Sequence, residues 1–234
     1  MVKRRKKNTS RVSIIIWSII IIFSGLVFAF QDHSYVQRSA RNVISWFQNL
    51  PAVRTATNEN AIQNTNDNYG KEIDKLAAEY DLPASYLKAL VVLECSGRKP
   101  VKPRFEKHVF RRLQRIRDGG RYKLEGISED VLKNASDEAL ENLARSWGPF
   151  QLMGYKCLQL DVNVRDIRGE DALELGMRWI KKEYGHLLKS KRYRDAFHYH
   201  NTGKHFPSDN KSLTHDPLYV EKGLQYMQQF NAKW

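Results

Sequence analysis

Hydrophobic and polar positions divide the chain into an uncharged N-terminal run, a polar stretch and a long helical remainder. Residues 12–30 (VSIIIWSIIIIFSGLVFAF) are 19 consecutive residues without a charge, enough at 1.5 Å per residue to cross a bilayer. The run exceeds the core of a signal peptide and no A-x-A site follows it, so a retained signal anchor is expected. Lys3, Arg4, Arg5, Lys6, Lys7 and Arg11 precede it. They place residues 1–11 in the cytoplasm and everything after Phe30 outside the inner membrane, in the periplasm or beyond the cell. Residues 31–68 read as a membrane-proximal segment and tether. Val36, Val43, Ile44, Trp46, Phe47 and Leu50 fit a short amphipathic helix at the membrane surface. Residues 51–68 are rich in Asn, Thr, Ala and Gln, show no apolar periodicity and read as flexible.

A folded domain is expected over residues 69–234. Ile73, Leu76, Ala77 and Tyr80 form the inner face of a first helix, 71–80, broken at Asp81 and Pro83. In 84–95 (ASYLKALVVLEC), Leu87, Leu90, Val91 and Glu94 stand at i, i+3, i+4 and i+7, and Ser96 and Gly97 mark the stop. Residues 98–103 read as a loop and 104–110 as a short strand or irregular segment. Short helices follow at 128–132 and 137–145, with Ser128 and Ser136 as caps. Leu173, Met177, Ile180, Tyr184, Leu187 and Leu188 form a stripe of period 3.6. A last helix over 216–230 opens with Asp216 and Pro217 and turns Val220, Leu224, Met227 and Phe230 inward. The fold expected is mainly α, with at most a small β element near Phe105, behind an N-terminal transmembrane helix.

The net charge of +13 changes this picture little once it is localised. Six positive charges precede the apolar run and leave 33 basic against 26 acidic residues. Peptidoglycan, teichoic acid and phospholipid surfaces would all reward that surplus, and so would plain solvation. A nucleic-acid partner requires the domain to face the cytoplasm, which the expected topology excludes. Cys95 and Cys157 fit either a disulfide or two separate buried thiols, with the latter favoured.

Glu94 is the candidate with the clearest chemistry. The apolar helix face desolvates its charge and the negative end of the helix dipole repels it, so both effects favour the protonated acid. A carboxyl group protonated near neutral pH is what a general acid needs. The plain alternative is a Glu that rotates into solvent at a frayed helix end.

Four patches occur in order: Leu93-Glu94-Cys95-Ser96-Gly97, then 104–110 (RFEKHVF), then 146–155 (SWGPFQLMGY), then Tyr199-His200-Asn201-Thr202-Gly203 followed by Tyr219-Val220-Glu221-Lys222. Together they resemble the lytic transglycosylase and goose-type lysozyme superfamily, and within it the phage-associated N-acetylmuramidase branch. The resemblance spans residues 82–230. It implies a lysozyme-like helical domain that cleaves the β-1,4 bond between N-acetylmuramic acid and N-acetylglucosamine, with Glu94 as the single catalytic acid/base and no cofactor. It also implies that Gln151 borders the cleft and bonds substrate or the backbone beside Glu94, and that Asn201 matches the Asn of the family's late turn. His200 stands where the family has Tyr, with Tyr199 one residue earlier, and Cys95 separates Glu94 from Ser96.

Tyr155 and Tyr199 can offer flat faces to sugar rings or fill core positions, whereas core packing is favoured for Trp147 and Phe150. Glu106 is the candidate second carboxylate of a hydrolase, against a favoured role pairing with Lys107, Arg111 or His108. His198, His200, His205 and His215 lack the spacing of a metal motif, and no metal is expected. Three readings remain: a lytic transglycosylase, a hydrolytic muramidase in which Glu106 assists, and an inactive glycan-binding protein of the envelope.

Overall fold

The computed structural model describes residues 56–232, with side chains from residue 59. The expected anchor and amphipathic segment lie outside the described residues, and no described helix is long and apolar enough to cross a membrane. The described part is mostly helical, as the periodicities require.

Helix α1 (Ala56–Thr65) runs through a π-turn (Asn66–Gly70) into α2 (Lys71–Tyr80). The fold therefore begins upstream of Tyr69, and the part of the tether from Ala56 onward is helical. Its few inward positions explain the misreading: Ala61, Ile62, Thr65 and Tyr69 are buried while the Asn, Gln and Asp residues between them stay outside. Asp81, in the left-handed region at φ 53°, ends α2.

Helix α3 (Ala84–Cys95) is the most enclosed long helix among the described residues. Tyr86, Leu87, Ala89, Leu90 and Val91 have no exposed surface. A helix apolar on nearly every side must be surrounded, and α1, α2 and α11 (Tyr219–Asn231) pack against it. Lys88, also in this helix, is buried and paired with Asp74 at 2.7 Å. Each enclosed Leu contributes about 1.5–3 kcal/mol.

Residues 104–110 divide into a strand, β1 (Arg104–Phe105), and the start of α4 (Lys107–Arg117). Val109, Leu113 and Ile116 supply the buried face that makes α4 a helix. After the short helices α5 (Glu129–Leu132) and α6 (Asp137–Leu143) come β2 (Arg145–Trp147) and β3 (Leu152–Met153). Ser136 caps α6 by accepting from the Ala139 N–H at 3.1 Å. Arg145, expected at the end of that helix, belongs to β2 instead. The antiparallel sheet has order β1-β2-β3, with Arg104 opposite Ser146 and Ser146 opposite Met153.

A 3-10 turn (Gly154–Lys156) leads to α7 (Cys157–Leu160), α8 (Val164–Arg168), α9 (Ala172–Lys189) and α10 (Tyr193–Thr202). Every residue of the expected stripe from Leu173 to Leu188 is buried in α9. Helix α11 starts at Tyr219, later than Asp216 and Pro217 imply. Asp216 instead accepts from the Leu218 N–H at 2.9 Å in the turn before it.

Candidate active site

Glu94 lies in the last turn of α3, followed by Ser96 at φ 55° and Gly97 at φ 68°. These two close the helix end, donating their N–H groups to Val92 O (3.0 Å) and Val91 O (3.4 Å). Gly97 cannot be replaced cheaply, because a Cβ there would lie 2.4 Å from the Thr65 backbone nitrogen. Asn68 Nδ2 also donates to the Gly97 carbonyl at 2.7 Å. The segment read as a tether thus braces the helix end that carries Glu94.

The Glu94 side chain is only 17% exposed. Burial pushes its carboxyl up to about 7, while a hydrogen bond from Tyr219 and the positive charge of Arg104 pull the other way. A short bond from the Tyr219 hydroxyl to Glu94 Oε1 fixes the carboxylate's direction. The group is held in place and is substantially protonated near neutral pH.

His200, on α10, approaches the same oxygen with Nε2 3.9 Å from Glu94 Oε1. Its ring is committed elsewhere. Tyr184 donates to Nδ1 at 2.7 Å, Nε2 lies 3.2 Å from the Phe150 carbonyl, and the Tyr86 hydroxyl stands 3.4 Å behind that of Tyr184. This partner set defines an Nε2–H tautomer. Burial pushes the imidazole down to about 4, so His200 is neutral at pH 7 and makes no ion pair with Glu94. Of the two adjacent rings, His200 faces the carboxylate. Tyr199 is half-buried, with its ring 5.5 Å from Tyr184 and 5.8 Å from His205.

Arg104 links the second carboxylate to this site. Its charge acts on Glu94, and its Nε pairs with Glu106 Oε1 at 2.6 Å. Glu106 Oε2 also stands 3.5 Å from His108 Nδ1, so one of the pairings expected for Glu106 is realised and Arg104 supplies another.

The remaining expected residues have other partners. Gln151, at φ 48°, accepts from Ser146 Oγ at 2.7 Å and donates to Gly148 O at 3.2 Å, within its own hairpin rather than to the backbone beside Glu94. Asn201 is exposed near the end of α10. Tyr155 is buried and donates to Glu125 Oε1 at 2.8 Å, which is its core role. Ser96 acts through its backbone as the helix stop. Phe150 is core, and the half-buried Trp147 donates Nε1–H to Asn142 O at 2.9 Å. His198 is consumed by Lys204 O (2.8 Å) and the Leu213 N–H (3.1 Å). Among the described residues no His, Cys, Asp and Glu grouping fits a metal. Cys95 and Cys157 are free thiols.

The sequence places Tyr184 in an apolar stripe and Arg104 at the head of the second motif, but it assigns neither of them, nor the Phe150 carbonyl, to the surroundings of Glu94. Tyr219 stood in the fourth motif without one, and that motif was the signal available. No family model, curated protein or solved structure matches this chain.

Proposed function

We propose that this chain is a membrane-anchored peptidoglycan lytic enzyme that cleaves the β-1,4 bond between N-acetylmuramic acid and N-acetylglucosamine as a lytic transglycosylase. The observation that carries the reading is Glu94: a buried carboxyl raised to about 7 and aimed by Tyr219. Protonated Glu94 gives its proton to the bridging oxygen as the bond to the muramoyl C1 breaks, and the muramoyl acetamido oxygen stabilises C1. The ionised Glu94 then takes the proton from the same sugar's C6 hydroxyl as O6 bonds to C1. A 1,6-anhydro ring closes, Glu94 regains its proton, and no water is consumed.

The engagement of Glu106 by Arg104 and His108 favours this course over one that needs a free second carboxylate. Hydrolysis is the second reading, favoured by the action of Arg104 on both acids. Purified sacculi treated with the full chain separate the two: a transglycosylase product is lighter than the reducing-end product by one water. A Glu94→Gln protein should lose turnover while keeping its affinity for sacculi. Undiminished lysis by that variant would overturn both enzymatic readings, and absence of lysis by either protein would leave the glycan-binding one.

A further inference from the structure

We infer that the outer face of α4 binds the carboxylates of peptidoglycan stem peptides, so that the strand presented to Glu94 is one still carrying its peptides. The inference rests on the proposed function, and it adds the class of strand preferred.

The first observation is where the charge sits. Residues 98–123 hold eleven Lys and Arg against two Asp and Glu, whereas the rest of 69–234 holds 19 against 21. The domain's positive surplus is therefore confined to one segment. Within it, Lys107, Arg111 and Arg115 recur at i, i+4 and i+8 and are exposed, opposite the buried Val109, Leu113 and Ile116. Like charges at this spacing disfavour a helix, and solubility alone does not require them on one face. Among the described residues, Lys102, Lys107, Arg111 and Arg121 enter no ion pair, and the segment's ion pairs involve only Arg104, His108 and Arg117 as cations.

The second observation is continuity with Glu94. Arg104, which acts on Glu94, lies three residues before α4 begins. From Lys107 to Arg115 the helix extends about 12 Å at 1.5 Å per residue. A row of cations with no carboxylate partner among the described residues thus leads away from the acid along one helix. Stem peptides supply several free carboxylates to each repeat of the strand, at a glycan otherwise poor in charge. A lipid surface fits this face less well. Its exposed rings, Phe105 and Tyr122, lie beneath the guanidinium groups of Arg145 and Arg115, each 5.1 Å from the ring centre, rather than open for insertion.

The test is co-sedimentation of the full-length Glu94→Gln protein in detergent with sacculi, unmodified or with stem carboxylates capped as methylamides. Binding should fall about tenfold on capping and should weaken as ionic strength rises. A further Lys102→Gln, Lys107→Gln, Arg111→Gln protein should bind unmodified sacculi about as weakly as its parent binds capped ones. Equal binding to capped and uncapped sacculi overturns the inference even if the neutralised protein fails to fold. So does retention by anionic phospholipid vesicles that depends on the three residues while sacculus binding does not. Loss of lysis in Glu94→Gln is read separately, so the binding result stands apart from the catalytic assignment.

Discussion

The Tyr219 hydroxyl donates to Glu94 Oε1 across 125 residues of sequence, joining the start of α11 to the end of α3. The bond favours the ionised acid and opposes the effect of burial. In Tyr219→Phe the Glu94 carboxyl should therefore titrate higher than in the parent, and the alkaline limb of the pH–rate profile should move up. Initial rates of sacculus lysis between pH 5 and 9 measure this. A limb that stays in place would show that another group sets it.

Glu94 also links stability to pH. Burial raises its carboxyl to about 7 in the fold against an ordinary value of 4.5. Below about 4.5 both states are protonated and nothing is lost. As pH rises through 7 the folded state must ionise a buried group, at a cost of about 3 kcal/mol as an order of magnitude. Glu94→Gln should relieve this cost, gaining stability over the parent at pH 8 but not at pH 4. Urea unfolding of both proteins at the two pH values provides the comparison.

His200 has the opposite window. Burial lowers its pKa to about 4 from 6.5, so its contribution is fully present above 6.5 and is lost as pH falls through 4. Nitrogen-15 spectra should show Nε2 protonated and Nδ1 bare at pH 6. A doubly protonated ring at that pH would contradict the assignment. His200→Phe leaves the Tyr184 hydroxyl and Phe150 carbonyl unmatched and should cost about 2–4 kcal/mol.

Gly176 of α9 lies against the ring of Phe150, and a Cβ there would come within 2.5 Å of it. Gly176→Ala should cost about 1–3 kcal/mol through overpacking. It should also reduce lysis, since Phe150 carries the carbonyl facing His200. Melting temperature and lysis rate should fall together.

A chain started at Tyr69 lacks α1, whose Thr65 packs on Gly97. It should melt lower than one started at Ala56, by several degrees if the loss is about 1–2 kcal/mol. Matching melting curves would return residues 56–68 to the status of a tether.

The parts of the fold written in local spacing were legible. The bounds of α2 and α3, the stripe of α9 and the place of Glu94 on an apolar face all follow from a period of 3.6 and a left-handed stop. Burial is the leading cause of the Glu94 shift, which is what the apolar face implied. Partners set by tertiary contact were not legible. Nothing near Glu94 in sequence indicates Tyr219 or Arg104, and nothing near Tyr155 announces Glu125. Helix α1 was missed because its few apolar positions are hidden among polar residues. The bonds of Gln151 to Ser146 and Gly148 were not legible either, because they depend on the left-handed turn of its hairpin.

The small sheet has a mechanical consequence. Arg104 on β1 is registered with Ser146, Ser146 holds Gln151, and the adjacent Phe150 carbonyl restrains the imidazole of His200. One hairpin unit therefore reaches the acid from two directions. If it swung away from α3, the guanidinium's pull would weaken and the imidazole would be released in the same stroke, so uncovering Glu94 and retuning its proton affinity would be a single movement.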